Sequence, residues 1–280
     1  MLRRPMVCRD EHRIVFEEGH SRIEWEMALN AAEKLTIQNV SHLFASNAAV
    51  PVLDDINIGV ATGAFASLIG RSGCGKSTLF NMIAGLLRPT RGTIQLDGRD
   101  ISGHAGLVGY MLQKDLLLPW RTVLDNVILG LELGKRSKAE CRDLAIPFLR
   151  RYGLSGYESS YPRELSGGMR QRVALLRTLL CNTDVILLDE PFSALDAHTR
   201  GDMQAWLLDI WSEFSKTIVL VTHDVEEAVY LSDEIFVLSS RPGRVRETIS
   251  VGLSRPRERS IITSPQFADL KARCLRILEQ

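Results

Sequence analysis

From about residue 35 the chain falls into short β-type runs, at 35–40, 52–60, 64–69 and 93–96. Gly63, Gly92 and the pair Asp97-Gly98 punctuate them as turn signals. Between about 115 and 162 the pattern is mostly helical, with Pro147 and Gly153 as expected interruptions. From Gly167 onward, helical stretches alternate with continuous apolar runs at 185–188, 217–221 and 235–238. Apolar runs set between helices in this way predict a parallel sheet buried on both faces. The expected fold is α/β, with a β-rich edge and a helical insertion over about 115–165. An extension over 1–34 precedes the main domain, 35–255, and a helical tail follows over 256–280. In that tail Phe267, Leu270, Cys274, Leu275 and Leu278 fall near one helical stripe, so it is expected to pack on its own subunit or a partner.

Composition narrows the class without naming a task. The 280 residues are 45% hydrophobic and 24% charged, as in an ordinary globular protein. Formal net charge is zero, which gives no support to a nucleic-acid partner, and none is expected. The five cysteines are scattered and form no C-x-x-C pair, so reduced thiols are expected rather than a disulfide frame or zinc site. The opening Met1-Leu2-Arg3-Arg4 runs into charged Arg9-Asp10-Glu11-His12-Arg13 without an apolar stretch, unlike a secretory leader. No uncharged apolar run reaches the roughly 18 residues of a membrane-spanning helix. Work at a membrane therefore requires another chain to hold this one there. The arginines Arg241, Arg244, Arg246, Arg255, Arg257 and Arg259 are expected to be solvated or salt-bridged to the domain, not bound to lipid.

The chemistry begins at Gly70-Arg71-Ser72-Gly73-Cys74-Gly75-Lys76-Ser77, which fits G-x-x-x-x-G-K-[ST] at every fixed position. An apolar strand precedes it, and 78–87 is a plausible helix after it. Glycines let the backbone curl so that successive N–H groups, with Thr78 following, point at phosphate oxygens. The helix adds the positive end of its dipole. Lys76 is expected on the β- and γ-phosphates of ATP and the Ser77 hydroxyl on Mg²⁺. Cys74 fills a variable position as a small residue, its thiol within reach of alkylating reagents.

Residues 185–190 form an apolar strand that ends in two acids, Asp189 and Glu190. Burial of the strand places both at its C-terminal end, the edge where α/β sheets bind ligands. Asp189 is the expected Mg²⁺ ligand and Glu190 the group that orients and polarises the attacking water.

Many phosphate-loop proteins share these features. Leu165-Ser166-Gly167-Gly168-Met169-Arg170-Gln171, about 20 residues ahead of the acids, separates this chain from most of them. Ser166 and the Gly167-Gly168 pair precede a helix and make a second anion-binding N-terminus. With this segment the sequence resembles the ATPase subunit of an ABC transporter. The resemblance implies a P-loop NTPase with a RecA-like parallel-sheet core, an antiparallel β edge subdomain and the helical insertion. It also implies a head-to-tail homodimer in which Ser166, Gly167 and Gly168 close over the partner's ATP. Phe44 resembles the aromatic that stacks on adenine. Gln113, after the strand-like 107–112, resembles the glutamine that contacts Mg²⁺ and the attacking water. Asp196, in Ser193-Ala194-Leu195-Asp196, resembles the loop that communicates between sites. His223, at the end of 217–222, resembles the switch histidine that contacts the γ-phosphate. One stretch departs from the family: Leu176-Arg177-Thr178 stands where Ala-Arg-Ala is common, and a packing adjustment is expected there.

Leu117-Leu118-Pro119-Trp120, Asp125-Asn126-Val127 and the tail segments 239–244 and 253–257 resemble the nitrate/sulfonate/taurine importers. Riboflavin- and pyrimidine-precursor importers have similar ATPase chains. The resemblance implies a multispanning permease, an extracytoplasmic solute-binding protein, and a peripheral place on the cytoplasmic face of the membrane. A groove between insertion and core would receive a permease helix. ABC-type ATPases of DNA repair or translation are the alternative. The long heptad segments of chromosome-type relatives are absent, and only one cassette is present.

Overall fold

The structure, a computed structural model, describes residues 33–44, 50–134 and 136–279. The expected extension lies outside these residues except for Glu33 and Lys34, which open the first strand.

Among the described residues there are two sheets. The first joins β1 (Glu33–His42), β2 (Leu53–Ala61), β4 (Arg91–Leu96) and β5 (Arg99–Asp100) in the order β2-β1-β4-β5, all pairs antiparallel. Alternation buries Leu35 and Ile37 on β1, a register shift around Asn39 brings Val40 to the same core, and Ile37 lies opposite both Ile58 and Ile94. Between β4 and β5 the turn residues Asp97 and Gly98 both take positive φ, at 50° and 74°. That backbone matches the twist of the strands in a two-residue hairpin, and an Asp-Gly pair accommodates it.

The second sheet joins β3 (Phe65–Ile69), β6 (Gly109–Met111), β7 (Val185–Asp189), β8 (Thr217–Thr222), β9 (Glu234–Leu238) and β10 (Val245–Ser250). Its order is β10-β9-β3-β8-β7-β6, parallel except for β10 against β9. Every residue of β3, β7 and β8 is buried. Successive side chains point to opposite faces and so enter two different cores. Val185, Leu187, Val219 and Val221 pack with α1 (Lys76–Ile83) and the first sheet. Ile186, Leu188, Ile218 and Leu220 pack with the helices of the other face. Those helices are α2 (Val123–Val127), α3 (Leu129–Glu132), α4 (Lys138–Arg151), α5 (Gly167–Leu179), α6 (Ala197–Phe214), α7 (Val225–Leu231) and α8 (Pro265–Glu279).

Pro147 was expected to interrupt, yet α4 runs through it. Cys141, Ala145 and Leu149 form the buried stripe, while Pro147 is exposed, so the carbonyl it leaves unbonded faces water. Gly153 does end the helix: with φ 74° it lets Leu154 N–H return to Leu149 O at 2.9 Å. The Leu176-Arg177-Thr178 departure is absorbed by packing, since Leu176 and Thr178 are buried and Thr178 Oγ1 donates back to Ala174 O.

One expectation for the tail needs correction. On α8 Phe267, Cys274 and Ile277 are buried and Leu270 and Leu278 pack partly buried against the same core, whereas Leu275 is exposed. The arginines are bridged to the domain as expected: Arg244 pairs with Asp54, and Arg255 and Arg257 with Asp233. Arg257 is buried and donates to the carbonyls of Tyr230 (2.9 Å), Ser232 (2.7 Å) and Val229 (3.4 Å), the C-terminal end of α7. Arg255 donates to Leu231 O and Asp233 and lies 4.1 Å over the Trp211 ring. These unpaired carbonyls carry the negative end of the helix dipole, which favours a cation there.

Candidate active site at the C-terminal edge of the parallel sheet

The 70–75 loop leaves β3 at Ile69 and enters α1 at Lys76. Gly73 and Gly75 take φ 79° and 105°, which L side chains avoid. At Gly75 a Cβ would also stand 2.7 Å from Leu53 Cδ2. No side chain caps α1, so its first N–H groups remain for an anion. Lys76 is buried, and its Nζ donates to Gly70 O at 2.7 Å and Arg71 O at 3.2 Å, arching back over the loop. Arg71, Ser72 and Ser77 are exposed and Thr78 half-buried. Cys74 differs from expectation: its side chain belongs to the core under the loop, with 1% exposure, so its thiol is shielded from reagents.

Asp189 closes β7 and is buried. Burial pushes its carboxyl above the usual carboxylate range; the Ser77 hydroxyl opposes that shift and the Glu190 charge adds to it. The Tyr110 hydroxyl lies 3.4 Å from Asp189 Oδ2 and equally far from Asn81 Oδ1, and burial raises this phenol. Glu190 follows with φ 46°, a left-handed backbone that costs about 1 kcal/mol or more in a non-glycine residue. Its N–H donates to Val221 O at 2.9 Å, and its Oε2 accepts from Gln113 Nε2 at 3.2 Å. His223 Nδ1 lies 3.3 Å from that same oxygen. Two side chains, from beyond the ends of β6 and β8, thus converge on the carboxylate that follows β7.

The other expected residues stand on other elements. Ser166 caps α5, its Oγ accepting from Met169 N–H at 3.3 Å, with Gly167 and Gly168 opening the helix. Asp196 caps α6, accepting from His198 and Thr199 N–H at 3.1 Å each, and Thr199 holds its carboxyl below the usual range. A Cβ on Gly168 would sit 3.1 Å from Thr199 Cγ2, so the starts of α5 and α6 abut. Helix α5 is also wired to the loop after Gln113: Arg170 pairs with Asp115, and Arg177 donates to the carbonyls of Asp115 (2.6 Å) and Leu116 (2.8 Å). Phe44 is exposed, and the His42 ring meets it edge-on at 4.7 Å. Sequence reasoning missed Tyr110, Thr222, Arg200 and Glu227, which surround the site. The acid after the cap Asp224 was visible but indistinguishable from its neighbour Glu226.

The donor set fits Mg²⁺. One buried carboxylate with a hydroxyl and an amide nearby suits an ion that keeps waters and takes the rest of its shell from substrate phosphates. Among the described residues no cluster of three or more His, Cys, Asp or Glu is placed to cage a metal alone.

A family model described as "ABC transporter" matches residues 53–193. The chain belongs to the ABC transporter family. An uncharacterised ABC transporter ATP-binding protein of Methanocaldococcus jannaschii is 47% identical over 247 residues, 88% of this chain and 91% of that protein. The taurine import ATP-binding protein TauB of Escherichia coli (strain K12) is 44% identical over 247 residues, 86% of this chain and 97% of that one. Among solved structures, a dimeric ATP-binding cassette in a post-hydrolysis state with ADP and Pi superposes with a TM-score of 0.68 at 30% identity. It covers 79% of this chain and all of that one. A subunit of an ABC transporter complex from Clostridium perfringens, 24% identical over 89% of this chain and 98% of its own, shares the fold with a TM-score of 0.72. The chain is an ABC transporter ATP-binding subunit, an ATPase of P-loop architecture.

Proposed function

We propose that this subunit powers the uptake of a small solute, of the sulfonate, taurine or nitrate type or a related one, through a membrane importer. The observation that carries the hydrolytic assignment is the convergence of Gln113 and His223 on Glu190 at the edge where the phosphate loop ends. Glu190 orients the attacking water and takes its proton, Gln113 holds that water from the β6 side, and His223 faces the γ-phosphate. The glycine-bend N–H groups and Lys76 bind the phosphates. Ser77, Asp189 and Gln113 would hold Mg²⁺, which supplies charge neutralisation on the phosphate oxygens. Phe44 stacks on adenine.

Ser166, Gly167, Gly168 and Asp196 sit at the starts of α5 and α6 and serve the site of a second, identical copy. ATP closes that dimer because its phosphates gain donors from both chains, and hydrolysis removes the bridging charge and opens it. Exposed Leu112, Leu116 and Trp120, between the core and the helical insertion, fit a short permease helix. No helix among the described residues is long and apolar enough to cross a membrane, consistent with a subunit held peripherally at the cytoplasmic face. A solute-binding protein outside the membrane would supply the permease. Light scattering of Glu190→Gln tests the ATP-driven dimer: a doubling of mass with Mg-ATP is expected, and a mass that ATP leaves unchanged contradicts it.

A further inference from the structure

Behind His223 lies a second acid that the hydrolytic groups above do not use. Glu227 sits in the first turn of α7 and is 5% exposed. Its Oε2 accepts from Thr222 Oγ1 at 2.5 Å, and that hydroxyl oxygen in turn accepts from Asp224 N–H at 3.0 Å. Asp224 caps the helix through the N–H groups of Glu226 and Glu227. One buried carboxyl and one hydroxyl therefore brace both sides of the three-residue turn whose middle member is His223.

The other oxygen, Oε1, is buried without a hydrogen-bond partner among the described residues, and so is Arg200 Nε. Both residues, with Glu190, His223 and Asp224, line a small cavity of about 10 Å³, room for the centre of one water. Because Oε2 already accepts from Thr222, the proton of a neutral Glu227 belongs on Oε1, where O–H and Arg200 N–H both face that space. The space has room for a single water that would accept from both.

The charges around Glu227 argue against a second ionised state at rest. Arg200 approaches from α6, but its Nη1 lies 3.5 Å from Asp224 and is shared with that acid. Glu190 comes from the end of β7 and His223 from the turn itself. Glu226, beside it, is paired at 2.7 Å with Lys271 of α8. Ionised, Glu227 would be a third carboxylate beside Asp224 and Glu190. Burial lifts its carboxyl to about 8, with Thr222 opposing and the Asp224 charge adding.

We propose that Glu227 is a positioning residue of ATP hydrolysis: as a neutral acid it braces the Thr222–Asp224 turn and keeps His223 against Glu190, whereas a negative charge there would repel Asp224 and Glu190 and displace the turn. The proposal rests on the assignment of Glu190 and His223 to the hydrolytic site. Glu227 touches neither nucleotide nor attacking water and acts through His223.

The test is ATP turnover of the purified full chain from pH 6.5 to 9.5, for the wild type, Glu227→Gln and Glu190→Gln. For the wild type, kcat should fall about tenfold from pH 7 to pH 9 while KM for ATP changes little, following the protonated fraction of one acid. The Glu227→Gln amide cannot ionise, so its kcat at pH 9 should stay within about twofold of its own value at pH 7. An equal alkaline fall in Glu227→Gln overturns the proposal. So does a wild-type profile that stays flat through pH 9, a result that needs no variant to fold. Glu190→Gln separates the two levels: wild-type turnover in that variant overturns the site assignment itself, whereas its loss beside a Glu227→Gln profile that falls as the wild type's does overturns the positioning role alone.

Discussion

His223 and Glu190 meet at 3.3 Å although they leave the ends of different strands. The sheet register accounts for it. β7 and β8 pair in parallel with Asp189 opposite Val221, so the residues that follow emerge at one edge. Glu190 follows the last residue of β7 and takes a left-handed backbone, so strand alternation no longer sets the direction of its side chain. Local strain and parallel register together separate a buried carboxylate from one open to substrate.

Replacing that open carboxylate tests its use. Glu190→Gln keeps the hydrogen bond from Gln113 within reach but cannot take a proton. Turnover should fall about 10²- to 10⁴-fold, the range for a lost general base, while ATP affinity is retained. Phosphate release measured beside equilibrium nucleotide binding checks both; parent-rate turnover removes Glu190 from the role.

Lys76→Ala should act on binding. Its ammonium is held over the loop by Gly70 and Arg71 carbonyls, where an anion would meet it. Loss of a charge-assisted contact worth about 1.5–3 kcal/mol predicts a Kd for ATP at least about tenfold weaker. A fluorescence titration that shows unchanged affinity counts against the phosphate-loop assignment.

Stability should carry the mark of Glu227. The folded chain keeps its proton up to about pH 8, while an unfolded glutamate releases it near 4.5. Between those values the folded state binds more protons, so unfolding free energy falls as pH rises and the loss is complete above the folded value. Urea unfolding of Glu227→Gln and wild type at pH 5 and pH 8.5 should show the difference shifting in the variant's favour by up to about 4 kcal/mol. A pH-independent difference contradicts a buried neutral acid.

Arg257→Met should destabilise without touching nucleotide chemistry. The guanidinium is buried against the last carbonyls of α7, and its removal leaves them unpaired. A cost of about 2–4 kcal/mol is expected, read as a lower urea midpoint at unchanged slope. An unshifted midpoint means that the tail does not hold α7.

The sequence was most legible where a backbone requirement leaves few residue choices. The phosphate loop, the apolar strands and the Asp97-Gly98 hairpin are of this kind, because glycine freedom and two-face burial write themselves into local composition. The side-chain environment was less legible. Glu226 and Glu227 are adjacent and identical in type, yet one pairs with Lys271 at the surface and the other is sealed beside Arg200. Only the packing of α6 and α8 on α7 decides between them. Pro147 misled for the opposite reason: a breaker on the wet side of a helix costs one bond to water and stops nothing. Cys74 and Arg257 looked like surface residues because short loops and tails give no periodicity from which to read their burial.

The importer assignment is tested most directly by recovering tagged Glu190→Gln from detergent-solubilised membranes in Mg-ATP and identifying its companions by mass spectrometry. The account predicts one multispanning permease held by the ATP-closed dimer. Recovery only with soluble ribosomal or DNA-repair proteins would contradict it, leaving an ATPase whose motor drives something other than transport.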